Sequence, residues 1–150
     1  MHIETLFYQS EFVQNIQNRG MLSFPTREDI LMPFINTKTN IALSRKQKEL
    51  AKTALADCIA AFNPDWTKVL MCNFEDSCSL SFAGDSIKPA AVTEIHLLES
   101  AMKAIPAPAL EKVAKAVTEV ISKTFVIDTD HVVVFYAGSP KWMYNGQDVK

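Results

Sequence analysis

The chain has 150 residues, 48% of them hydrophobic and 21% charged, with a formal net charge of -2. This length fits one domain with a real core, and the near-neutral charge removes the electrostatic case for a nucleic acid or an anionic membrane as partner. No apolar run approaches the roughly 20 residues that a bilayer span needs.

Residues 1–31 form a segment distinct from the rest and are read as an N-terminal extension to a domain over 32–150. They lack the basic start, apolar centre and cleavage site of a secretory signal, and Glu4, Glu11, Glu28 and Asp29 argue against a transit peptide. Ile3, Leu6, Phe7, Val13 and Ile16 make a broken helical stripe that Gly20 and Pro25 end, so a short docking helix and a segment without structure of its own both remain open. Pro33 to Asn40 reads as a strand. Ser44-Arg45-Lys46-Gln47 is a capping box: the serine oxygen takes the backbone N–H three residues on, and the glutamine reaches back. The helix that follows aligns Ala51, Leu55, Cys58 and Phe62, and Asn63-Pro64-Asp65 stops it. Val69 to Phe74 is a short apolar run expected to be a buried strand. Leu80-Ser81-Phe82 alternates and is expected as a short extra strand.

The second half repeats this order. Ala90 to Leu98 is a strand carrying Thr93, Glu94 and His96 among apolar residues. Pro106 and Pro108 mark a helix start, and Leu110, Val113, Val117, Val120 and Ile121 form its apolar stripe. Val132 to Tyr136 is a β-branched and aromatic strand. The plan is βαβ twice, an α/β (α+β) arrangement with two helices on one face of a four-stranded sheet, since each crossover is right-handed. Two architectures share that order: a ferredoxin-like domain, and a symmetric oligomer whose subunits close their sheets around a barrel.

Cys58, Cys72 and Cys78 form no CxxC and are odd in number, so reduced, structural thiols in the cytoplasm are expected. His2, His96 and His131 show no metal-ligand spacing, and there is no dinucleotide fingerprint, phosphate loop, nucleophile elbow or calcium loop. No metal and no cofactor are expected.

Four stretches carry a family resemblance: Met32-Pro33-Phe34-Ile35-Asn36-Thr37-Lys38-Thr39-Asn40, Phe74 to Gly84, Ala91-Val92-Thr93-Glu94-Ile95-His96, and Lys141-Trp142-Met143-Tyr144-Asn145-Gly146. In this order on a doubled βαβ plan, the chain from Met32 onward resembles the macrophage migration inhibitory factor (MIF) family of the tautomerase superfamily. The resemblance implies a homotrimer with sites between subunits. It implies an isomerase of the phenylpyruvate or dopachrome tautomerase type, acting on small aromatic α-keto acids. It also implies that Pro33, as a free N-terminal secondary amine, is the general base. Leu98 falls where the family places a backbone group near the substrate carboxylate, and Trp142, Tyr144 and Val149 fall on its hydrophobic rim.

Three departures stand beside this. Asp65 falls where the family has a carboxylate-binding lysine, with Lys68 nearby as a substitute. Val133 and Phe135 replace a tyrosine and an asparagine that reach a neighbour's pocket. Residues 1–31 hold Pro33 in a peptide bond, where its nitrogen is not basic. The favoured origin is a start at Met32, with that methionine then removed. The rival reading is a non-catalytic trimeric interaction protein or degenerate tautomerase. A ferredoxin-like binding module is the third.

Overall fold

A computed structural model describes residues 33–149. The expected N-terminal helix and the rest of the extension lie outside the described residues. In chain order the elements are β1 (Phe34–Thr39), α1 (Arg45–Ala60), a 3-10 turn (Pro64–Lys68), β2 (Met71–Glu75), β3 (Ala91–Leu98), α2 (Glu99–Ala104), α3 (Ala107–Phe125), a second 3-10 turn (Thr129–His131), β4 (Val132–Ser139), β5 (Trp142–Tyr144) and β6 (Gln147–Val149).

The four long strands form one sheet in the order β2-β1-β3-β4. Within each half the strands are parallel, and the halves meet at the antiparallel β1–β3 pair, where Thr37 faces Thr93. This is the doubled βαβ plan of the sequence. Because side chains alternate along a strand, one sheet face carries Ile35, Thr37, Thr39, Ala91, Thr93, Ile95 and Leu97, all buried beneath α1 and α3. The other face carries Phe34, Asn36 and Lys38 of β1 with Val92, Glu94 and His96 of β3, flanked by Met71 of β2 and by Val133 and Phe135 of β4. No helix among the described residues covers that second face, and Met71, Val133 and Phe135 are exposed on it.

The capping box forms as the sequence predicts. Ser44 Oγ accepts from the Gln47 N–H at 3.0 Å, and Gln47 Oε1 accepts from the Ser44 N–H at 2.9 Å. The Gln47 amide also donates to the Thr124 carbonyl at 3.3 Å, tying the start of α1 to the end of α3. Ala51, Leu55 and Cys58 are buried along α1, and Phe62 is buried just beyond it against Trp66. On α3 the buried residues are Ala109, Val113, Ala116, Val117, Val120, Ile121 and Phe125. Leu110 is only half-buried, because the stripe turns toward the smaller alanines. Each fully buried aliphatic or aromatic side chain here contributes about 1.5–3 kcal/mol, and Leu55→Ala removes such a group at a cost of about 2–5 kcal/mol.

Four elements differ from expectation. The strand expected over Leu80–Phe82 is absent. Phe82 and Asp85 form a lone bridge, and the chain reverses at Ala83 (φ 52°) and Gly84 (φ 83°), so the alternating residues border a tight turn. The strand expected from Val69 begins instead at Met71, because the Val69 N–H is spent closing the 3-10 turn on the Trp66 carbonyl at 3.2 Å. Helix α2 has six residues and no side-chain cap, and nothing in its pattern announced it. β4 also runs past Tyr136 to Ser139.

Candidate active site

Parallel pairing within each half and antiparallel pairing between halves gather specific termini at one end of the sheet. There the chain enters β1 and β2, and leaves β3 and β4. Pro33 is buried at this end, and its carbonyl accepts the Met71 N–H at 3.1 Å. Proline suits this place, immediately ahead of the first ladder residue, because its fixed φ leads into extended backbone and its nitrogen has no hydrogen to satisfy. β1 is an inner strand, so the residue ahead of it sits between two neighbours instead of at an edge. Leu98, buried, ends β3 at the same end.

The C-terminal hairpin follows directly from β4. Trp142 of β5 stands opposite Val149 of β6, and Asn145 and Gly146 make the turn with positive φ. The sequence-predicted rim residues Trp142 and Val149 are thus brought together, half-buried, whereas Tyr144 is exposed near the turn. Lys68 is exposed at the end of the 3-10 turn and pairs with Asp65 at 3.0 Å. Val133 and Phe135 lie on the uncovered sheet face of the edge strand β4.

A polar chain at the same end escaped the sequence reading. Glu94 and His96 are two apart on β3 and share the uncovered face. His96 Nδ1 lies 2.8 Å from Glu94 Oε1, and its Nε2 lies 2.5 Å from Ser139 Oγ. The His96 ring also meets Trp142 edge-on, with centroids 5.7 Å apart. Trp142 Nε1 is buried and has no hydrogen-bond partner among the described residues. The alternation of β3 shows Glu94 and His96 on one face, but Ser139 is 43 residues from His96, and only the β3–β4 register brings it there.

Cys58 is buried, and burial pushes the Cys72 thiol up to about 11, so it stays protonated near neutral pH. Burial likewise raises the Tyr136 phenol, whose O–H donates to the Leu110 carbonyl at 2.7 Å. Asp128, Asp130 and His131 place ligand atoms within 4.8 Å of one another, but His131 Nδ1 is already held by Asp130 at 2.9 Å. No helix among the described residues is long and apolar enough to cross a membrane.

Comparison with solved structures identifies the fold. The crystal structure of MIF2 from Leishmania major superposes with a TM-score of 0.67 at 22% identity, over 78% of this chain and 97% of that one. A fused 4-OT, described as a symmetric trimer, gives a TM-score of 0.66 at 15% identity over 77% and 95%. Pt0534, solved after inactivation by 2-oxo-3-pentynoate, gives 0.67 at 14% identity over 77% and 96%. The class defined by this architecture is the tautomerase fold: a mixed four-stranded sheet with its helices on one face. The structural likeness to MIF homologues spans nearly the whole of those proteins. No protein-family model and no curated protein matches the sequence.

Proposed function

We propose that this chain is a keto–enol tautomerase of the MIF type, acting on phenylpyruvate-like α-keto acids in a homotrimer, with Pro33 as general base once the residues ahead of it are removed. The observation that carries the reading is the placement of Pro33: buried, at the head of an inner strand, at the sheet end where Leu98 and the Trp142 hairpin also lie. A free terminal amine has a reference pKa of about 8, and an apolar surrounding disfavours its charged form. A secondary amine poised near neutrality takes a proton from carbon beside a carbonyl and returns it to oxygen, or the reverse. The half-buried Trp142–Val149 pair offers an apolar wall for an aryl group, and Leu98 ends β3 beside the base. The exposed apolar row on the uncovered face suits burial against further copies of the chain, as in the fused 4-OT described as a symmetric trimer. Cysteines that form no disulfide with one another suit a reducing, cytoplasmic setting.

The test compares the 150-residue chain with one beginning at Pro33. The shorter chain is expected to ketonise phenylpyruvate enol, and to take up 2-oxo-3-pentynoate covalently at the Pro33 nitrogen. The longer chain should do neither. A shorter chain that is folded yet shows no turnover and no adduct would sink the proposal. A second reading, a non-catalytic trimer, is favoured by the Lys68–Asp65 pair, which occupies the cation expected to hold a substrate carboxylate. A three-subunit mass without turnover would select it, whereas a monomer would favour a ferredoxin-like binding module.

A further inference from the structure

We infer that Ser139, His96 and Glu94 form a second chemical centre, a nucleophilic serine able to cleave small carboxylic esters of apolar acyl or aryl groups. The arrangement is that of nucleophile, base and orienting carboxylate. An ionised carboxylate can only accept, so Glu94 holds the proton of His96 on Nδ1 across 2.8 Å. Nε2 is then free to accept the Ser139 hydroxyl proton across 2.5 Å. In the single chain the His96 and Glu94 side chains keep 24% and 30% of their surface open.

The backbone fixes the serine on a stiff support. Ser139 is the last residue of β4 and precedes Pro140, which holds it in the extended region. The preceding residue, Gly138, is approached by α2 so closely that an added Cβ would lie 2.8 Å from Glu99 Cγ. Across the sheet His96 is flanked by Phe34 and Ala137, and Trp142 lies against its ring, giving apolar surface for an acyl or aryl group.

In the reaction, Ser139 Oγ attacks the ester carbonyl carbon as its proton passes to His96 Nε2. The bond to the leaving alkoxide oxygen breaks, and that oxygen takes the proton from His96. Water then attacks the acyl-serine carbonyl, gives a proton to His96, and releases the carboxylic acid while Ser139 recovers its hydrogen. The sum is ester plus water to acid plus alcohol, with no oxidant or cofactor.

The test uses the full 150-residue chain, a fluorophosphonate and p-nitrophenyl acetate. Attack of Ser139 on phosphorus expels fluoride and leaves one phosphonyl group per chain, which peptide mapping should place on Ser139. Ser139→Ala should lose the label. His96→Gln should slow labelling and ester cleavage about a hundredfold or more, and Glu94→Gln should lower both by about tenfold or more. Ser139→Cys keeps a nucleophile in place and should retain acyl transfer. An unlabelled wild-type chain, or a label mapped elsewhere, would overturn the assignment and leave the relay as a tie between β3 and β4. The mapping is done on the wild-type protein, so an unstable variant cannot obscure the result.

Discussion

The pair of hydroxyls at the centre of the sheet gives a sharp test of how the two halves are joined. Thr37 and Thr93 face each other across β1 and β3, both fully buried, with their Oγ1 atoms 2.9 Å apart. Each is the other's hydrogen-bond partner in a layer whose remaining residues, Thr39 apart, are apolar. Thr93→Val keeps the branched shape and removes one hydroxyl, leaving Thr37 Oγ1 buried and unpaired at a cost of about 1–3 kcal/mol. Thr37→Val should cost a similar amount. Replacing both leaves no orphan, so the double variant should fall within about 1 kcal/mol of wild type, and the coupling energy should approach the sum of the two single costs, about 2–6 kcal/mol. Urea unfolding followed by Trp66 fluorescence reads this directly, since that indole is only 2% exposed in the folded chain. All four proteins must be compared at one concentration, because association shifts apparent stability. A double variant that loses the sum of the two single costs would refute the reasoning, and would mean that each hydroxyl acts independently.

Three further outcomes follow from other positions. Asp76 accepts from the Leu43 N–H at 2.9 Å, and this bond, followed by the nearby Lys48, holds its carboxyl below the usual range. Its contribution to stability is therefore fully present above the ordinary value of about 4 and is lost as pH falls through the lower folded value. Asp76→Asn should flatten acid unfolding in that window, and an unchanged acid profile would contradict the assignment. Val126 ends α3 in the left-handed region at φ 57° while 79% exposed. Val126→Gly should raise stability by about 1 kcal/mol in thermal unfolding, and a loss would show that its side chain packs where exposure says it does not. On the uncovered face, Phe135→Lys should lower the sedimentation mass of the proposed trimer toward one subunit, and a variant that stays associated would move the proposed interface elsewhere.

Much of the architecture was legible because it rests on short-range signals. The Ser44–Gln47 box, the spacing from Ala51 to Cys58 and the β-branched run at Val132 each depend on neighbours within a few residues. Helix α2 was not legible, since six residues without a cap give no full period of apolar pattern. The Leu80–Phe82 alternation misled because two positive-φ residues follow at once and turn the chain back on itself. Pro33, Leu98, Trp142 and Val149 entered through resemblance, and no local pattern distinguishes them from ordinary core or strand residues. The serine of the His96 chain was invisible for a different reason: it depends on two strands being in register, and a shift of one residue would turn Ser139 to the other face.

The antiparallel meeting of β1 and β3 has a consequence for how such a protein can be elaborated. The two halves are interchangeable in outline, but only the first half can begin at a chain end. The start of the second, Pro89-Ala90-Ala91, is held in the main chain at the opposite end of the sheet, where its nitrogens are amides. Chemistry that relies on a strand's leading amine is therefore diluted by duplication: joining two such units end to end keeps the sheet and its helices and forfeits one reactive nitrogen in every two. Side-chain chemistry carries no such limit, and a histidine or serine works as well in the middle of a polypeptide as at its start.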